Sequence, residues 1–151
     1  MYPLSHLTLS VHHDHDGDCR VTATVSSNSF AGSSSAWFQP SALAAFASAV
    51  LALAESGCGS ATPEAGYLDP NGTNADPLVV IVGPRDSHGH FPVTVRLSAA
   101  AHIGADRYLI TQRVEAGLDV VPAPLERFAR VLSSIPTGSV VTAVLEGEGS
   151  F

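Results

Sequence analysis

Lysine is absent from this sequence: its seven basic side chains are all arginine, set against fourteen acids and seven histidines, and the formal charge at pH 7 is −7. A chain so charged is repelled by nucleic acid and by anionic membranes, and it attracts basic partners. Cysteine is scarce. Cys19 and Cys58 are the only two, far apart and outside any CxxC or Cys/His spacing, so they read as reduced structural thiols, with a bond between them left open at this level. Long apolar runs are missing as well: the longest, Ala42 to Ala54, is well short of the ~20 residues that cross a bilayer. The opening segment MYPLSHLTLSV has no basic region ahead of an apolar stretch and no small-residue cleavage site, so no signal peptide is expected and a cytoplasmic location is. Patterns for chemistry are also wanting. There is no GxSxG, and GPRDSHGH lacks the lysine and the spacing of a phosphate loop. Asp86, Ser87 and His88 make a triad only on paper, because neighbours in one turn do not present orienter, nucleophile and base in line. A non-enzymatic role without a cofactor is expected.

What is present supports a single domain over residues 1–151. Hydrophobic residues make up 45% of the chain, and a chain of this length buries roughly 70% of its unfolded surface without help from metals or disulfides. The most informative stretch is FAGSSSAWFQPSALAAFASAVLALAESG, Phe30 to Gly57. Ser27 to Ser35 reads as a loop or irregular strand, Ala36 to Gln39 as a short strand, and Ser41 to Glu55 as a helix capped by Ser41 and stopped by Gly57. Leu43, Phe46, Ala47, Val50, Leu51 and Ala54 recur on one helical face, while Ala44, Ala45, Ser48, Ala49 and Ala52 leave the opposite face uncharged. That bland face predicts a helix covered on both sides, by its own chain or by a partner.

Before this stretch, HLTLSV and RVTATVS alternate with period two, so residues 6 to 26 read as a hairpin around Gly17. After it, GCGSATPEAGYLDPNGTNADP is mostly loop, with a short strand at Gly66 to Leu68. Leu78 to Val82 and Phe91 to Ser98 form a second hairpin, followed by a loop or bulged strand end at 99–106. Arg107 to Val114 and Leu118 to Val121 are extended, Leu125, Phe128, Ala129 and Leu132 form a second helical face ended by Pro136, and Ser139 to Leu145 is a last strand before a loose acidic tail. The halves match: Leu7, Leu9, Gly17, Val21, Ala23 and Val25 fall 72 positions before Val79, Ile81, Gly89, Val93, Val95 and Leu97, and the helices correspond at an offset of 82. The expected fold is therefore α+β, a mainly antiparallel sheet of about six to eight strands with two helices packed on one face. Its two units, about 6–57 and 78–145, form a candidate internal repeat.

Two clusters invite a functional reading. His12, His13 and His15 interleave with Asp14, Asp16 and Asp18, the donor types of a metal site. A calcium loop opening at Asp14 would need glycine where Cys19 stands and glutamate where Val25 stands, and a polar hairpin turn accounts for the same residues, so no metal is assigned. The second feature is charge asymmetry. Residues 1–76 carry seven acids against Arg20 alone, whereas residues 77–151 carry seven acids against six arginines. Asp14, Asp16, Asp18, Glu64, Asp69 and Asp76, with Tyr67 as an aromatic anchor, are the candidate surface for a basic partner.

The order of an alternating hairpin, then FAG and SAWF, a proline, the LAAF of the first helix, the GYLD segment, the VVIVGPRDSHGHFPVTVRL hairpin and the late LERFARVL helix resembles WapI-type immunity proteins and related actinobacterial families. The likeness runs from about His6 to Gly147. It implies a small cytoplasmic α+β protein that binds and neutralises a cognate toxin domain, and it supplies no catalytic residues. The histidine-rich first turn is not part of that pattern. Two other classes fit the composition: a small-molecule or metal-binding module, and an interaction subunit or homodimer docking through the uncharged helix face.

Overall fold

Leu7, Leu9 and Val11 are buried while Thr8 and Ser10 between them are not, and the same alternation runs through Val21, Ala23 and Val25. Side chains on successive strand residues point to opposite faces, so each alternating segment covers a core with one face and meets solvent with the other. The computed structural model describes residues 4–63, 77–103 and 108–149. Its elements are β1 (Leu4–His13), β2 (Cys19–Ser27), β3 (Phe30–Phe38), α1 (Pro40–Ser56), β4 (Leu78–Val82), β5 (Phe91–Ile103), β6 (Tyr108–Val120), α2 (Pro122–Leu132) and β7 (Val140–Gly149). The strands form one antiparallel sheet in the order β3-β2-β1-β7-β6-β5-β4. The order β-β-β-α occurs twice, and β7 then enters between the two meanders.

The apolar faces of both helices close onto the buried face of the sheet. Leu43, Phe46, Ala47, Val50, Leu53 and Ala54 of α1 join Leu125, Phe128, Ala129 and Leu132 of α2 in one core. Phe38, Phe91 and Phe128 are its largest fully enclosed side chains, and full burial of such a residue contributes about 1.5–3 kcal/mol. The sheet curls. Ser27 Oγ donates to the Gly117 carbonyl at 3.1 Å and Ser34 Oγ to the Ser98 carbonyl at 2.8 Å, so the β2–β3 end folds over β5 and β6. Gly32 there lies against Val114, with no room for a Cβ. Ser5 and Ser27, both on the buried face, share a 2.8 Å hydroxyl bond, which satisfies the polar groups that burial would otherwise penalise.

Several local expectations are corrected. Of the two alternatives for Ser27 to Ser35, the strand holds: after a turn at Asn28 and Ser29, β3 is regular and pairs with β2 from Ser27↔Phe30 to Cys19↔Phe38. Its serines suit a strand because Ser35 and Ser33 pair with Thr22 and Thr24 across it, at 2.9 and 3.2 Å. The segments around 99–103 and 115–117 are likewise strand, because β5 and β6 stay in register from Phe91↔Val120 to Ile103↔Tyr108. The acidic tail belongs to β7, which pairs with β1 as far as Leu4↔Glu148. Ser41 does not cap α1. The helix begins at Pro40 after Gln39, with no side-chain cap, because proline needs no N–H partner in the first turn. Gly57 ends the helix as expected, with φ 75° and its N–H on the Leu53 carbonyl. The 72-residue offset holds for β5 and for the turn glycines but slips by one in β4. There Leu78, Val80 and Val82 face the core, and Val82 stands opposite Val93 as Val11 stands opposite Val21. Among the described residues nothing covers the outer side of the first helix: Ala44, Ala45, Ser48, Ala49 and Ala52 are exposed. The strand expected at Gly66 to Leu68 lies outside the described residues.

Candidate functional site

The face of the sheet turned away from the helices is open, and the register lays it out row by row. Across β3, β2, β1 and β7, Trp37, Arg20, His12 and Val140 form one row and Ser35, Thr22, Ser10 and Thr142 the next. Ser33, Thr24, Thr8 and Val144 follow, then Ala31, Ser26, His6 and Glu146. The middle rows are hydroxyls and small or branched side chains without charge, in which Thr22 bonds Ser35 and Thr24 bonds Ser33 across the strands. Trp37 is 41% exposed and Val140 61%, so the apolar area on this face is available for contact. At about 4.8 Å between strands and 3.3 Å per residue, four strands of nine or ten residues present a patch of roughly 500–600 Å² in projection.

Acids stand at both ends. At one, the β1–β2 turn holds Asp14, Asp16 and Asp18, closed by Asp14 N–H on the Asp18 carbonyl and Gly17 N–H on the Asp14 carbonyl. Asp16 and Asp18 are exposed, and Asp14 lies 3.3 Å from His12 Nε2. At the other end, Asp86 of the β4–β5 turn, Asp119 of β6 and Glu148 of β7 converge although they are far apart in sequence, with Glu146 one row away opposite His6. The one Arg–carboxylate pair among the described residues is Arg96 with Glu115, at 3.5 Å on the neighbouring strands. The remaining close partners of carboxylates are histidines: His6 for Glu146, His12 for Asp14 and His90 for Asp119. Among the described residues, then, arginine pairs with no carboxylate at either acidic end.

The second acidic end was missed in the sequence, where Asp86 reads as part of a turn, Asp119 as part of a short extended segment, and Glu146 and Glu148 as a loose tail. The signal for it is the continued alternation of Leu145, Glu146, Gly147 and Glu148 beyond the point where apolar residues stop. Of the predicted partner surface, Asp14, Asp16 and Asp18 come together in one turn, whereas Glu64, Tyr67, Asp69 and Asp76 lie outside the described residues.

The histidines of the first turn do not converge. His13 is 7% exposed and donates from Nδ1 to the Ile135 carbonyl at 3.0 Å, His12 faces Asp14 on the open side, and the His15 ring lies against Gly138. Among the described residues no three His, Cys, Asp or Glu side chains come together as a metal site would need. The second turn is built by Asp86, whose Oδ1 accepts the N–H groups of His88 and His90, both at 2.9 Å. The bond from His90 lowers the Asp86 carboxyl below its usual range, with further help from His88 and the charge of the two imidazoles. Asp86 thus serves the turn's backbone, while Ser87 Oγ lies 3.5 Å from His88 Nδ1 in the same exposed turn. His90 Nδ1 donates to Asp119 Oδ2 at 2.9 Å, a bond that raises His90 above its ordinary value, with the charges of Asp119, Asp86 and Glu148 adding to it. Cys19 and Cys58 are both free thiols, the first buried and the second exposed. Cys19 sits with Pro40, Leu43, Leu132 and Ile135 around a cavity of about 280 Å³ between the start of α1 and the end of α2.

No protein-family model, curated protein or solved structure matches this chain.

Proposed function

We propose that this chain is a cytoplasmic protein-binding module that neutralises a basic partner by occlusion, with the open face of β3-β2-β1-β7 as its docking surface. In the terms of the immunity-protein resemblance, the partner is a cognate toxin domain. The observation that carries the reading is the placement of charge: uncharged, hydroxyl-rich middle rows with carboxylates at both ends, none of them ion-paired to an arginine among the described residues, although Arg20 stands in the row beside the first acidic turn. The patch approaches the ~800 Å² per partner of a standard interface, and its acidic rims add contact area and steer a basic surface onto it. Occlusion asks for no catalytic group, which suits a face of serine, threonine and valine.

The test places a bulky charge on the face. Thr8→Arg and Thr24→Arg, both at outward positions, are expected to abolish binding to a partner isolated with the native chain, whereas Ala45→Arg on the opposite layer leaves it intact. Binding that survives Thr8→Arg and Thr24→Arg contradicts the assignment of this face. A second reading rests on the exposed, uncharged residues Ala44, Ala45, Ser48, Ala49 and Ala52 of α1, which would let two copies pack helix to helix. A concentration-dependent dimer lost in Ala45→Arg supports it, and a monomer at all concentrations removes it.

A further inference from the structure

The sheet is continuous in order but not in strength. On one side β7 pairs with β1 along nearly its whole length, from Leu4↔Glu148 to His12↔Val140. On the other, its pairs with β6 among the described residues are only Leu118↔Gly149 and Asp119↔Glu148. This short seam is where the four-stranded half, β3-β2-β1-β7, meets the three-stranded half, β6-β5-β4. The approach is close: a Cβ on Gly147 would stand 2.8 Å from the Asp119 carbonyl oxygen, so only glycine fits beside the seam. Its last pair sets two carboxylates, Asp119 and Glu148, directly opposite on the same face, an arrangement that destabilises a strand pair.

His90 offsets that repulsion. An ionised carboxylate only accepts hydrogen bonds, so Nδ1 carries the proton in the 2.9 Å bond to Asp119 Oδ2. Protonation of Nε2 then adds a positive charge between the two half-sheets. The charged groups that face His90 are Asp86 from its own turn, Asp119 from β6 and Glu148 from β7. His88 on the same turn contributes no bond to it, and the Arg85 guanidinium lies over the Gly57 cap of α1. No arginine substitutes for His90 in these contacts.

We propose that the β6–β7 seam is a protonation-gated joint, held shut when charged His90 neutralises the facing carboxylates of Asp119 and Glu148, and loosened when His90 loses its proton. The device is independent of any binding partner. Because histidine changes charge near neutrality, it places the change in local order within the physiological range.

Amide hydrogen exchange at Leu118, Asp119, Val120 and Glu148 tests it, comparing wild type, His90→Gln and Glu148→Gln at matched pH so that intrinsic exchange chemistry cancels. Below about pH 6, wild type is expected to be about two- to five-fold better protected than His90→Gln, the range for a like-charged cross-strand pair. The gap closes as pH rises. Glu148→Gln, which has no repulsion to offset, keeps its protection throughout, and it decides the question alone if His90→Gln fails to fold. A wild-type to His90→Gln ratio that is the same at every pH overturns the proposal. So does Glu148→Gln losing protection as wild type does, or an equal pH response at Thr8 and Val21 far from the seam.

Discussion

Cysteine shows how far a single position is set by its neighbours. The two thiols have the same chemistry, yet Cys19 closes the inner end of β2 beneath both helices while Cys58 follows the cap of α1 into solvent. Burial raises the Cys19 thiol above its usual value, and the nearby charges of Asp18 and then Asp14 push the same way. A thiolate is the reactive species, so burial and acidity both protect Cys19. Under native conditions one equivalent of maleimide is expected at Cys58, with Cys19 labelled only after denaturation. Rapid labelling of both thiols in the folded protein would contradict this placement. The histidines show the same dependence: His13 is committed to the Ile135 carbonyl and His90 to Asp119, and neither commitment shows in the run of polar residues around it.

At the scale of elements, α1 and α2 play unequal parts despite their shared pattern. Both bury a Leu/Phe/Ala face, but α2 has polar Glu126, Arg127 and Arg130 outside, whereas α1 has alanine and serine. Phe128→Ala removes a fully buried ring and is expected to cost about 3–5 kcal/mol in unfolding free energy, measured by denaturant titration. Ala49→Arg, on the exposed side of α1, is expected to change it by less than about 0.5 kcal/mol. A large loss from Ala49→Arg would mean that this face is covered. The α+β class, seven of the strand cores and both helices were legible because alternation and 3.6-residue periodicity report directly on which side chains are buried. The extent of β3, β5, β6 and β7 was not. Serine-rich and glycine-rich segments have weak strand character of their own, and they are held by the ladder to β2, β5 and β1, which no local pattern displays. The acidic end at Asp86, Asp119 and Glu148 was hidden for the same reason, since it exists only once β7 is inserted beside β6.

For the whole molecule, the charge pattern predicts how stability follows pH. Asp86 is lowered in the fold by the His90 N–H that it accepts, so its contribution is present above the ordinary aspartate value of about 3.9 and is lost as pH falls through its lower folded value. His90 is raised, chiefly by its bond to Asp119, so its contribution is complete below about 6.5 and is lost as pH rises through its higher folded value. Thermal midpoints measured across pH are expected to be highest between these limits for this pair of groups. Asp86→Asn should flatten the acid limb and leave the alkaline limb in place, and an unchanged acid limb would rule out this role for Asp86.

Charge is also what the proposed function rests on. An open face with acids at both ends, on a chain without lysine, should bind a basic protein with an affinity that falls steeply with salt. The most direct measurement is the dissociation constant for the isolated partner at low and high salt, for wild type and for the triple variant Asp14→Lys, Asp16→Lys, Asp18→Lys. The reversal is expected to weaken binding at low salt by at least about tenfold, the loss concentrated in the association rate, and to flatten the salt dependence. Equal affinity and equal salt dependence in wild type and variant would contradict the account.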